Sequence, residues 1–204
     1  MLYDATDTRM PDSLPGDVSS DHDEATGRFG MWLFIASLTM LFLASLVGFL
    51  LTRAYSANWN PFDLPRGLWL STALLVVADG FIIYAQRGAR SDRMVAVKRG
   101  MAGALVFAIG FLVCQTVAWS AMTESLVETN PAALAAYTFY LLTGLHALHV
   151  IGGFVPLGFS LWRSIAGEYT ARNHAGLTYC AMYWHFLGVV WLVIVAALYF
   201  GFQP

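Results

Sequence analysis

The sequence predicts an all-α integral membrane protein, a bundle of five transmembrane helices, and two observations support this fold class. Hydrophobic residues make up 58% of the 204 residues and charged residues only 12%, whereas soluble domains carry about a quarter charged residues. Five long stretches are also nearly free of Asp, Glu, Lys and Arg. Each reaches the roughly 20 residues that a helix needs to cross the hydrocarbon core. These stretches lack the two-residue alternation of a membrane β-barrel, so they are predicted to be helices.

The apolar stretches place the helices at about residues 29–52, 67–86, 100–122, 131–162 and 176–201. The first stretch is too long for the apolar part of a cleaved signal peptide, which spans roughly 7–15 residues. It also follows an acidic segment rather than a basic one, so we expect a retained helix. The chain is therefore divided into a flexible acidic arm, residues 1–28, and a transmembrane domain, residues 29–204.

The distribution of basic residues predicts the orientation in the membrane. Nine of the eleven Lys and Arg residues lie on one side, in the N-terminal segment and in the loops after the second and fourth helices: Arg9, Arg28, Arg87, Arg90, Arg93, Lys98, Arg99, Arg163 and Arg172. The positive-inside rule then predicts a cytoplasmic N-terminus and an external C-terminus. The 11 basic and 13 acidic residues nearly balance, which argues against a nucleic-acid partner.

Three histidines fall inside the predicted spans and allow two interpretations. His146 and His149 share one face of the fourth helix, and His185 lies in the fifth. One interpretation is a metal or haem site, with His149 and His185 as haem ligands on facing helices. Zinc would require four ligands and a di-iron site Glu-x-x-His pairs, but no Glu lies inside a span. The favoured interpretation is that neutral histidines hydrogen-bond across helices, at about 0.6 kcal/mol each.

Small residues predict that the fourth and fifth helices pack closely against each other or against a partner, with the histidines in that contact. Glycine and cysteine recur there at spacings that let helix backbones approach in lipid: Gly144, Gly152, Gly176, Cys180 and Gly188. The two cysteines, Cys114 and Cys180, fall mid-helix in separate spans. Their positions favour packing over a disulfide or a metal site.

Asp79 is the only carboxylate inside a predicted span. An ionised carboxylate near the bilayer centre costs about 2.5–3.5 kcal/mol, so this group is expected to be protonated, paired or close to water. It could serve a proton relay, a salt bridge to a partner subunit, or a proton-coupled transporter. Alternatively, Asp79 lies near the cytoplasmic interface, because Arg87 follows after a rise of only about 12 Å.

Four segments, in this order, resemble subunit III of the haem-copper terminal oxidases: FGMWLFIASLTMLF, LPRGLWLSTALLV, TGLHALHVIGG and YWHFLGVVWLVIVAALYF. The resemblance runs from about Phe29 to the end and corresponds to the five-helix short form of that family. It implies an accessory, non-catalytic subunit of the bacterial inner membrane that binds no haem or copper itself. Haem and copper would lie in the partners, the catalytic subunit I and subunit II, and bound phospholipid is expected. Lipid or structural contacts would be made by Trp69, His146, His149, Trp184, His185 and Trp191.

The chain departs from the family pattern at three intramembrane acids. Leu38, Gln115 and Gly188 occupy positions where the resemblance leads us to expect carboxylates. The sequence thus predicts that the packing residues are kept while the ionisable groups linked to proton uptake are lost. Two alternatives follow, a divergent paralogue attached to a nitric-oxide reductase or other respiratory complex, and a membrane haem protein that transfers electrons through His149 and His185.

Overall fold

The computed structural model describes residues 15–57, 59, 64–129, 133–169 and 174–202, with side chains at 25–57, 59, 64–120, 123, 134–169 and 174–202. Its helices are α1 (Pro15–Tyr55), α2 (Gly67–Arg90), α3 (Met94–Thr129), α4 (Ala133–Ala166) and α5 (Ala175–Gly201). All five are long and apolar enough to cross a membrane, which confirms the predicted fold class. The orientation of the termini remains a prediction.

The helices extend beyond the ends that the apolar stretches predict. α1 begins at Pro15, so the C-terminal part of the predicted flexible arm is helical, and proline suits the first turn of a helix. Residues 1–14 lie outside the described residues, and so does residue 131, at which the fourth helix is predicted to begin. α2 continues to Arg90 because arginine and alanine favour helix beyond the membrane-crossing part.

Four helices form a continuous arrangement around α5. This helix contacts α1, α2 and α4, while α2 packs along α3 and α3 packs along α4. Within the described residues, α1 contacts only α4 and α5. The interior of the bundle is therefore built on α5, whose Trp184, Leu187 and Trp191 are buried.

Glycines bring α2 and α3 into close contact. A Cβ added at Gly100 would lie 2.7 Å from the Cβ of Ala85 and 2.8 Å from the carbonyl oxygen of Phe81. A Cβ at Gly103 would meet the Phe81 ring at 2.6 Å. Because lipid tails are as apolar as leucine side chains, helices associate in lipid largely through such van der Waals contact. The α2–α3 pair is thus the most tightly packed part of the bundle.

We predict that Gly100→Ala lowers the free energy of unfolding, because the new methyl group would collide with the backbone of Phe81 and Ala85. Overpacking of this kind costs about 1–3 kcal/mol. Gly80→Ala on α2 is the matched control, since a Cβ there meets nothing within 4 Å and both changes gain the same helix propensity. Unfolding by SDS in mixed micelles measures both variants, and equal stabilities would contradict the close packing of α2 and α3.

Candidate functional site between the second and fifth helices

Asp79 on α2 is paired with His185 on α5. The distance from Asp79 Oδ1 to His185 Nδ1 is 2.5 Å, and the two side chains are 29% and 33% exposed. Asp79 stands at the midpoint of α2, roughly 17 Å along the axis from either end. The structure therefore gives the carboxylate a partner within the chain.

Gln86 completes the environment of His185. Its Oε1 lies 3.4 Å from His185 Nε2, seven residues further along the same face of α2 as Asp79. An imidazolium would donate from both ring nitrogens to these two oxygens. A neutral ring would instead accept at Nε2 from the Gln86 amide after a flip of that amide. The three side chains can therefore satisfy His185 in either protonation state.

Gly188 lies directly opposite Asp79. A Cβ added at Gly188 would be 3.9 Å from the carboxyl carbon of Asp79, so α2 delivers a carboxylate to the space beside an α5 position where the resemblance leads us to expect one. The space beside Gly188 therefore holds a carboxylate that comes from another helix.

The other two departures are accommodated without charge. Leu38 is buried in the hydrophobic core. Gln115 is fully buried, and Ser71 donates its hydroxyl to Gln115 Oε1 over 3.2 Å. At these two positions no carboxylate from another helix is recorded among the described contacts, and apolar packing and a neutral amide stand in their place.

The Asp79–His185 pair forms part of the wall of a groove between α2 and α5. The groove has a volume of about 380 Å³ and is otherwise lined mainly by apolar side chains, including Leu75, Ile83 and Val189. Two polar side chains therefore meet an apolar groove on the outside of the bundle.

The structure separates the three histidines. His146 is fully buried, with its ring centroid 4.8 Å from that of Trp191, and its nitrogens have no hydrogen-bond partner among the described residues. His149 donates from Nδ1 to the Leu145 carbonyl oxygen at 2.7 Å. His185 faces α2, so it does not lie in a contact between α4 and α5, one of the two placements predicted for the histidines.

The separation of the histidines argues against a shared metal or haem site among the described residues. His149 and His185 point toward different helices, so the structure does not bring them together as a ligand pair. Within the described residues, no group of three His, Cys, Asp or Glu side chains could hold a metal ion. Cys114 and Cys180 are free thiols on separate helices.

The tryptophans predicted as packing residues occupy distinct positions. Trp184 is buried and donates from Nε1 to the Gly153 carbonyl oxygen at 3.2 Å. Trp191 is also buried and donates to Thr72 Oγ1 at 3.0 Å. Trp69 is 55% exposed and packs edge-to-face on Tyr199.

Two functional contacts of the interior were missed at the sequence level. Gln86 carried a signal, its spacing of seven residues from Asp79, which places both on one helix face. The Tyr183 hydroxyl, which donates to the His149 carbonyl oxygen at 2.8 Å, carried no signal because its acceptor is backbone.

A second groove lies between α1, α4 and α5. It has a volume of about 500 Å³ and is mainly apolar, with Met31, Phe34 and Val155 in its lining. Residues with polar groups in the lining are His149, Tyr179, Tyr183 and Ser160. Gly152 lies in the wall, where a Cβ would be 3.9 Å from the Tyr183 hydroxyl.

The fold and these contacts define a multi-pass membrane protein in which several polar side chains join one helix to another. The chain belongs to the cytochrome c oxidase subunit III family, because the family profile of that description matches residues 15–202. This match confirms the resemblance inferred from the four sequence segments.

Individual relatives agree with the family match. The cytochrome c oxidase subunit 3 of Synechocystis sp. is 29% identical over 191 residues, covering 91% of this chain and 80% of the relative. That of Neurospora crassa is 30% identical over 201 residues, covering 91% and 72%. That of Thermostichus vulcanus is 28% identical over 174 residues, covering 83% and 85%.

We predict that Asp79→Ala and Gly188→Asp are coupled in their effects on stability. Asp79→Ala removes the partner of His185 Nδ1 and lowers the free energy of unfolding. Gly188→Asp alone also lowers it, because two carboxylates would then share one space. In the double variant the new carboxylate, three residues from His185 on α5, replaces the lost one.

The double variant is therefore expected to be more stable than the sum of the single effects by about 0.5–3 kcal/mol, the range for side chains in contact. Unfolding in mixed micelles of the four chains of the cycle gives this coupling energy. Additive effects would mean that position 188 cannot supply the carboxylate.

Proposed function

We propose that this chain is an accessory, non-catalytic subunit of a haem-copper respiratory oxidase in aerobic electron transport. The single observation that carries this function is membership of the cytochrome c oxidase subunit III family over nearly the whole chain. Family membership and the names of the relatives do not favour a nitric-oxide reductase subunit or a separate haem protein. Haem and copper belong to other subunits, and we assign subunits I and II as the partners.

The subunit lies in the bacterial cytoplasmic membrane with its N-terminus inside. The relative in Synechocystis supports a bacterial source. One contact supports a common membrane side for the loops after α2 and α4. Lys98, which follows the first of these loops, donates to the carbonyl oxygen of Ile165, which precedes the second, at 3.4 Å. Arg163 at the end of α4 pairs with Glu168 at 2.7 Å. The positive-inside rule assigns this end to the cytoplasm.

The role of the subunit is to stabilise the catalytic subunit rather than to react. The polar side chains at the candidate positions serve contacts inside the bundle, since Trp184 and Trp191 donate hydrogen bonds to α4 and α2. His185 is held by α2 in the same way. A bundle joined in this manner offers a fixed apolar surface to a neighbouring membrane subunit.

A phospholipid occupies the groove between α1, α4 and α5. The apolar lining suits an acyl chain. Gly176 lies in the same lining, and a Cβ there would be 3.9 Å from a guanidinium nitrogen of Arg163. Arginine is well suited to bind phosphate, so the headgroup is expected at this end of the groove.

We predict that Gly152→Leu reduces the phospholipid bound to the purified chain, because the new side chain would project into the groove. Gly48→Leu on α1 is the matched control, since a Cβ there meets nothing within 4 Å and the position is not among the lining residues of this groove. Native mass spectrometry counts the bound lipids. Loss of the same lipids from both variants, or from neither, would contradict this site.

The accessory function is tested by purifying the tagged chain from its native membrane in mild detergent. We predict that haem absorption and copper accompany it through a large multi-span partner, and that the chain expressed alone is colourless. Mass spectrometry of the partner separates an oxidase from a nitric-oxide reductase. A Soret band on the isolated chain would overturn the proposal.

A further inference from the structure

We propose that the face formed by α1, α5 and α2 docks a transmembrane helix of the haem-bearing partner subunit, and that this helix places a hydrogen-bond donor opposite Asp79. This inference rests on the proposed accessory function and adds to it the surface by which the subunit binds. The face is called the docking face below, and its centre is the outer side of α5 from His185 to Val193.

The docking face is concave because α1 and α2 flank α5 without touching each other in the described part of the chain. Between them α5 exposes Val189, Leu192 and Val193, which are 61%, 49% and 47% accessible. A groove of about 380 Å³ lies on the α2 side and one of about 330 Å³ on the α1 side. Val189 lines both, so the two grooves adjoin along one helix.

Asp79 shows that this face has a polar partner. Its Oδ1 accepts from His185, whereas no hydrogen bond to its Oδ2 is recorded among the described residues. An ionised carboxylate can accept about four hydrogen bonds. The Asp79 side chain is 29% exposed, and a carboxylate oxygen that faces hydrocarbon without a hydrogen-bond partner is unfavourable.

The depth of Asp79 distinguishes a protein helix from a lipid. Asp79 lies eight residues, about 12 Å along the axis, before Arg87 in the last turn of α2. Acyl chains carry no hydrogen-bond donor, and lipid headgroups lie outside the hydrocarbon core, at the level of such terminal basic residues. A donor at this depth therefore comes from a side chain of a transmembrane helix.

The outer side of α3 provides the contrast. Its exposed side chains half-way along the helix are apolar: Val106, Ile109, Val113 and Val117. Thr116, between them, already donates its hydroxyl to the Val113 carbonyl oxygen. This side requires nothing beyond lipid, so α3 supplies matched control positions for α5.

The first test is photocrosslinking in the intact complex in its native membrane. A photoreactive amino acid replaces Val189 on the docking face or Val113 on α3. We expect the Val189 position to crosslink to the haem-bearing subunit and the Val113 position to crosslink to lipid. Crosslinks from Val189 to lipid alone or to a second copy of this chain, or from Val113 to the haem-bearing subunit, would overturn the docking face.

The second test measures haem recovered per tagged chain. Val189→Trp is expected to reduce recovery about fivefold, the factor that corresponds to roughly 1 kcal/mol, while Val113→Trp leaves it unchanged. Asp79→Ala is expected to reduce recovery similarly, and the double variant Asp79→Ala with Gly188→Asp is expected to restore it, since the carboxylate returns to the same groove.

Wild-type recovery in all of these variants would overturn the docking face while leaving the accessory function standing. Failure of the unmodified chain to carry any haem-bearing partner would instead overturn the accessory function. Thermal unfolding of each isolated variant separates lost docking from lost folding.

Discussion

The bundle depends on one constraint, that polar groups of α5 must find partners on other helices because the hydrocarbon core offers no water. On one side of α5, His185 and Trp191 bond to Asp79 and Thr72 of α2. On the other side, Tyr183 and Trp184 donate to backbone carbonyl oxygens of α4. These four contacts set the rotation and the axial position of α5 at once. If α5 rotated about its axis toward α2, its hydrogen bonds to α4 would break, and the reverse rotation would break those to α2. The two sets of hydrogen bonds therefore fix one orientation of α5 between α2 and α4.

Packing differs across the bundle in a way that follows from side-chain size. α2 and α3 meet through glycine and alanine, and their backbones approach closely. α1 instead meets its neighbours through large rings, with Phe42 against His149 at a centroid distance of 5.0 Å and Phe49 against Phe202 at 6.2 Å. Rings keep helix axes further apart than glycines do, and grooves remain beside them. The lipid groove and the α1 side of the docking face both lie along α1, which is consistent with this difference.

The spans could be predicted from the sequence because crossing a bilayer imposes a length and an apolar composition on each segment. The ends could not, since α1 and α2 continue into polar sequence where composition no longer marks the helix. The histidine contacts were partly predictable. Periodicity placed His146 and His149 on one face, but a single sequence does not say which helix a face meets. Asp79 and His185 are 106 residues apart, and no local pattern links positions at that distance.

The position of the carboxylate shows how this limit affects the comparison with a family. In sequence order, Gly188 stands where the resemblance leads us to expect an acid, and Asp79 is an acid at a separate position. In space they are one feature, because the Cβ position of Gly188 lies 3.9 Å from the carboxyl carbon of Asp79. A glycine on α5 leaves room for the acid on α2, and His185 is bonded to that acid. An acid at position 188 would need the same space, so both positions could not carry a carboxylate without repulsion between like charges. In this chain α2 carries the carboxylate, and the facing residue on α5 is small.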